Sequence, residues 1–180
     1  MGTRAGSVDP GILIAAQRDH GLDTRALEDA LERHSGLLAL SGRTAEMREL
    51  LAVAPDDARA SLALAVFERS AAAGIAAAAT ALPRLDAIVF TGGIGEHAAT
   101  VRARIVRRLA SIGMPPLPEA VSDAPGAERD HARVTDLRHP PPDDAHAEGD
   151  RTVVAGPPAV LVVAAREDVV IAREVRALIA

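Results

Sequence analysis

The sequence predicts an α/β fold, on three observations. Residues 87–90 and 159–164 are short apolar runs rich in β-branched side chains, as in strands buried on both faces. Stretches of helical character surround them, the longest over residues 57–82. The first run passes directly into Thr91-Gly92-Gly93-Ile94-Gly95-Glu96-His97, and a helix is read beyond it over residues 98–112. The glycines permit a sharp turn and let backbone approach a ligand with no Cβ in the way. The unpaired N–H groups and positive end of that helix would face the turn, a geometry suited to a phosphate or nucleotide.

Bulk composition narrows the class. The 180 residues suffice for one compact domain with a sizeable core. Hydrophobic residues make up 48% but aromatic ones only 1%, so the core must be aliphatic, with Ala-rich helices packed closely. A formal net charge of -5 argues against a nucleic-acid-binding surface. The absence of cysteine excludes disulfides, Cys-type zinc sites and a thiol nucleophile. No signal-peptide pattern opens the chain, and no apolar run reaches the ~20 residues a membrane span needs. The expected compartment is the cytoplasm.

Element by element, Gly2 and Gly6 suit turns, with Arg4 between them. Asp9 and Pro10 are an N-cap and a first-turn proline, opening a helix over 10–19 that Gly21 stops. Asp23 or Thr24 caps a second helix over 24–34, with Leu27, Ala30 and Leu31 as its buried stripe and Gly36 at its C-terminal end. Leu37 to Leu40 is a short apolar run, read as a strand or buried turn. Thr44 is expected to cap a short helix through Leu51, with Glu46 in its first turn. Leu62, Val66 and Phe67 recur at helical spacing in the 57–82 helix, which continues into an alanine run and packs under the sheet, until Pro83 ends it. Residues 116–158 are rich in Pro, Asp, Ala and His and read as an irregular excursion with edge strands near 132–135 and 152–155. His131, His139 and His146, with Asp143 and Asp144, match no rigid metal-ligand spacing and are read as a mobile acidic loop. Arg166, Glu167 and Asp168 follow the second strand and open a final helix over 169–178. Carboxylates at a strand's C-terminal end are where open α/β sheets place ligand chemistry.

Four segments, in order, resemble the C-terminal part of the acetate kinases. Residues 1–10 are similar to that family's M-G-T-R-S-G-D-I-D-P. Residues 35–42, with Glu46-Met47-Arg48-Glu49, are similar to S-G-L-L-G-x-S-G followed by D-[MF]-R-[DE]. Residues 86–97 are similar to D-A-[IL]-V-F-T-[AG]-G-I-G-E-N, and residues 166–173 to N-E-E-L-x-I-A-R. The resemblance covers most of 1–115 and 158–175. It implies a ribonuclease H-like, actin-like ATPase fold, as in the acetate and sugar kinase/Hsp70/actin superfamily. The whole of 1–180 would be the C-terminal half, carrying peripheral helices.

The resemblance also implies roles. Arg4 takes the place of the arginine that stabilises the phosphoryl group in transit. Glu46, Met47 and Arg48 match the adenosine-contacting motif. Gly93, Ile94, Gly95, Glu96 and His97 match the nucleotide loop, and Glu167 the magnesium-linked glutamate. The implied reaction is ATP plus acetate, or another short-chain carboxylate, to ADP and acyl phosphate, with Mg²⁺ and a homodimeric assembly. Departures are Glu46 for aspartate, His97 for asparagine, Ser7 for aspartate and Arg166 for asparagine. The family's N-terminal domain, with a second arginine, histidines, an aspartate and a phosphate loop, is expected to be missing. A lone chain of this kind would turn over incompletely, or would only bind adenine nucleotide or dimerise.

Overall fold

Asp9 and Pro10 start the first helix as their chemistry requires. In the computed structural model, Asp9 Oδ1 accepts from the Gly11 N–H at 2.7 Å, and α1 runs Pro10–His20. Gly21, at φ 65°, ends it in the left-handed conformation that glycine adopts without penalty. The structure describes residues 2–117, 151–154, 158–165, 171, 175 and 176. Its chain divides into two compact units, Met1–Ala78 and Ala79–Ala180.

In the first unit Asp23 caps α2 (Thr24–Arg33), its Oδ1 accepting from the Ala26 N–H at 2.8 Å. The predicted stripe of Leu27, Ala30 and Leu31 is half-buried. Residues 37–40 are helical rather than a strand: α3 spans Gly36–Ser41. Leu37 and Ser41 are both buried, four apart, which is helical spacing. Four consecutive apolar residues carry no period of their own, so neighbouring structure decides. Gly36 therefore begins α3, while His34 ends α2.

The predicted Thr44 cap is also displaced. The Ser41 hydroxyl accepts from the Arg43 and Thr44 N–H groups, tightening the turn after α3. Thr44 Oγ1 then accepts from the Glu46 N–H at 3.1 Å, two residues on, which is a side-chain turn rather than a cap. Helix α4 consequently spans Met47–Val53, with Glu46 at its N-cap and Glu49 in its first turn. Asp57 accepts from the Arg59 and Ala60 N–H groups and opens α5 (Ala58–Ala79).

The buried face of α5 is Ala60, Ala63, Leu64, Glu68 and Ala72; Leu62 is 54% exposed and Val66 and Phe67 half-buried. That stripe is thus turned partly outward. Three of the five residues on the inner face are alanines, Ala60, Ala63 and Ala72. At 22 residues, with a mean hydropathy of 1.5 over 18 of them, α5 also meets the length and composition of a membrane span, against the expectation that no run does. Glu68 buried on its inner face is a core-helix feature.

The second unit is built on a three-stranded sheet of order β1-β3-β2, where β1 is Ala87–Phe90, β2 Arg151–Val154 and β3 Ala159–Val162. Strands β1 and β3 are parallel, with Ile88 opposite Val160 and Phe90 opposite Val162. The antiparallel β2 takes the edge beside β3, close to the edge strand expected at 152–155. Beyond β1 the chain forms α6 (Gly92–His97), α7 (Ala99–Arg107) and a 3₁₀ turn at Ala110–Ile112, closed by Gly113 at φ 85°. The single helix expected over 98–112 is therefore two pieces, α7 and the 3₁₀ turn, and a further short helix, α6, starts before it inside the glycine turn. Ala98, at φ -109° and ψ 76°, breaks α6 from α7. Ile88, Phe90, Val101, Ile105, Val106, Leu109, Met114, Val160 and Val162 form an aliphatic core with one aromatic ring. Ile171, Val175 and Arg176 have helical backbone, within the final helix expected over 169–178. The expected strand at 132–135, the histidines at 131, 139 and 146, and Asp143 and Asp144 lie outside the described residues, as does Glu167.

Candidate functional site

Parallel pairing of β1 and β3 brings their C-terminal ends to the same edge of the sheet, which is where α/β sheets hold ligands. From that edge β1 continues through Thr91 into the glycine turn. Gly92 sits at φ 73°, a left-handed conformation that a side chain would strain. Gly95 is needed for a different reason. A Cβ there would lie 3.3 Å from the Phe90 carbonyl carbon and 3.5 Å from its Cβ, so α6 folds back directly onto the end of the strand. Among the described residues, nothing lies within 4 Å of a notional Cβ on Gly93.

The turn is held by two charged side chains. Glu96 Oε1 accepts from the Gly92 N–H at 2.7 Å and from the Ala165 N–H at 2.9 Å. One carboxylate oxygen thus ties the start of α6 to the chain just past β3. Arg102, only 4% exposed, donates through Nη1 to the Gly95 carbonyl at 2.8 Å and the Glu96 carbonyl at 2.9 Å. The orphan carbonyls near the end of a short helix are satisfied in this way. His97 is exposed at the C-terminal end of α6.

These contacts correct the expected cradle. The helix entering from the turn is α6, not a helix from 98, and its first N–H is already engaged by Glu96. Sequence reasoning missed Arg102. The available signal was a charged residue on the face of Val101, Ile105 and Val106, all buried. A cation in that setting needs partners, and the helix-end carbonyls supply them.

In the first unit, Arg4 lies in the segment before α1 that is fixed by backbone bonds. The Ala5 N–H donates to Leu31 O at 2.7 Å, and the Ser35 and Leu38 N–H groups donate to Thr3 O and Gly2 O. Arg4 Nε pairs with Glu32 Oε2 at 2.8 Å, and both side chains are more than half exposed. Glu46 and Arg48 are exposed at the head of α4, whereas Met47 is 7% exposed and packs inside the unit. A cleft of 460 Å³ opens between α4 and α5, lined by Arg43, Val53, Asp56, Asp57 and Arg59 among others. Arg59 lies over Gly42, within 2.8 Å of a notional Cβ there, and donates to Leu40 O. Hydrogen bonds from the Ala60 and Arg59 N–H groups, with Arg43 and Arg59 nearby, hold the Asp57 carboxyl below its ordinary range. Among the described residues no three His, Asp or Glu side chains converge as a metal cage.

The architecture is similar to that of a Porphyromonas gingivalis acetate kinase, with a TM-score of 0.77 at 24% identity over all of this chain and 40% of that one. It is also similar to a propionate kinase from Francisella tularensis, with a TM-score of 0.75 at 29% identity over 97% of this chain and 39% of that one. The fold is that of the actin-like ATPases. In sequence, the chain is 38% identical over 182 residues to the acetate kinase of Deinococcus radiodurans, covering 99% of this chain and 40% of that protein. It is 42% identical over 129 residues to the acetate kinase of Rhodopseudomonas palustris, covering 72% and 32%. The acetokinase family model matches residues 1–134, and the chain belongs to that family. It spans 32–40% of the length of these relatives.

Proposed function

We propose that this chain carries the nucleotide side of a cytoplasmic acyl-phosphate-forming kinase. The reaction is transfer of the terminal phosphoryl group of ATP to a short-chain carboxylate, acetate first, giving ADP and acetyl phosphate. The supporting observation is the edge formed by β1 and β3, where the glycine turn and the chain leading to Glu167 are joined through Glu96.

In this reading Gly93, Ile94, Gly95, Glu96 and His97 form the loop beside the nucleotide. Gly92 and Gly95 give that loop its shape, and Gly93, with no neighbour above it among the described residues, is where bound nucleotide can approach the backbone. Glu46 and Arg48 are exposed and available to an adenosine moiety, while buried Met47 sets the position of α4 from beneath. Arg4 supplies the positive charge that a phosphoryl group in transit requires, and Glu32 orients its guanidinium. Glu167, with phosphate oxygens of the nucleotide, would hold Mg²⁺, because this ion is commonly bound through one or two carboxylates plus phosphates rather than by an all-protein cage. Bound there, the ion would neutralise charge on the phosphates.

The test has two arms. Calorimetric titration of the purified chain with ATP or ADP and Mg²⁺ should give saturable binding. Acetyl phosphate should form once the remaining, N-terminal portion of a relative such as the Deinococcus radiodurans acetate kinase is added. Arg4→Ala should abolish that formation, by ~10³-fold or more on the scale of other transferred-phosphoryl arginines, while leaving nucleotide binding intact. Absence of any nucleotide binding would sink the proposal.

A further inference from the structure

We propose that Glu96 is a positioning residue rather than a nucleotide contact. With Arg102 it forms a bracket that keeps the glycine turn in register with the end of β3. Its functional side rests on the nucleotide reading above; its structural side does not.

The geometry carries the inference. Glu96 Oε1 accepts two backbone N–H groups from opposite sides of the sheet edge, those of Gly92 and Ala165, 73 residues apart in the chain. The two strands already pair up to Phe90 O, which accepts from the Val163 N–H at 2.9 Å. Two residues past Val163, Glu96 links the two segments again through the Ala165 N–H. Bonds from backbone N–H to a carboxylate are charge-assisted and stronger than neutral ones, so this link resists opening. Arg102 holds the same helix from its other end, through the carbonyls of Gly95 and of Glu96 itself. A carboxylate whose oxygen is engaged in this way is aimed into the protein edge.

Amide hydrogen exchange by NMR on the full chain tests the bracket directly. In Glu96→Ala the Gly92 and Ala165 amides should exchange together, faster by ~10-fold or more, as expected for loss of a charge-assisted bond. The Ala159 and Val163 amides, bonded to Asp86 O and Phe90 O, should keep their protection and show that the sheet is intact. Glu96→Gln retains an Oε1 acceptor without the charge and should recover part of the protection at both sites. Nucleotide affinity, measured on the same proteins with MgATP, should fall ~10-fold in Glu96→Ala and recover in part in Glu96→Gln.

Arg102→Met should likewise weaken protection around α6. If Gly92 and Ala165 fail to respond together, the bracket is overturned. If Glu96→Gln binds nucleotide as poorly as Glu96→Ala, the charge itself meets the ligand and the positioning role is overturned. A parent chain that binds no nucleotide, yet loses both protections in Glu96→Ala, supports the bracket and overturns the nucleotide reading alone.

Discussion

Gly93 and Gly95 stand two residues apart in one short helix, yet they answer to different constraints. At Gly95 a methyl group would meet the Phe90 backbone at 3.3 Å, so Gly95→Ala should cost about 1 kcal/mol and Gly95→Val about 2–3 kcal/mol by overpacking. At Gly93 nothing among the described residues lies within 4 Å, and Gly93→Ala should leave stability unchanged or raise it by up to about 1 kcal/mol, alanine being the better helix former. Urea denaturation of the three variants checks this, and a Gly95→Ala protein as stable as Gly93→Ala would contradict the packing. The run of glycines was legible as a turn from sequence alone. Which glycine is required sterically was not, because that depends on how closely α6 returns to Phe90. Arg102 was hidden for the same reason: its value comes from two carbonyls six and seven residues earlier, at the end of a helix that the sequence did not reveal.

At the scale of elements, local chemistry decided the helix starts whose side chains act within two or three residues. Asp9, Asp23 and Asp57 each accept from N–H groups of the helices they precede, and α1 matches its expected span closely. For Asp57 a pH dependence follows. Its folded-state carboxyl is depressed, so the stability it contributes is present above the unfolded value of about 3.9 and is lost as pH falls through the folded value. Urea midpoints of the parent should therefore drop on acidification more steeply than those of Asp57→Asn, which keeps a capping oxygen but no charge. Equal slopes would refute this.

Helix α5 shows where local pattern fails. Leu64 is 1% exposed and Leu62 54%, although both sit in the same apolar sequence. Leu64→Ala should cost about 2–5 kcal/mol, and Leu62→Ala under about 1 kcal/mol, in the same denaturation experiment. Comparable losses at both sites would mean that the buried face lies where Leu62, Val66 and Phe67 suggested.

For the whole molecule, an almost purely aliphatic composition translated into a core of Leu, Ala and Met in the first unit and one led by Val and Ile in the second. Several large apolar side chains remain outside them. Ile12 and Ile14 on α1 are 61% and 59% exposed, and Val89 on β1 is 52% exposed. Uncovered apolar surface of this kind accords with the homodimeric assembly that the family resemblance implies. Sedimentation equilibrium should then give twice the chain mass of 18.6 kDa; a monomer across the accessible concentration range would rule the dimer out.

The sequence by itself determined the α/β class, both parallel strands, the glycine turn and the family, because each of these is written in neighbouring residues: β-branched runs, caps, glycines and ordered motifs. Only the tertiary structure decided that residues 37–40 are helical, that α5 turns Leu62 outward, and that Glu96 and Arg102 clasp the turn to the end of β3. Those outcomes depend on partners distant in the chain. A hydrogen bond between residues 96 and 165 leaves no periodicity in a sequence; it exists only once two parallel strands have brought their ends together.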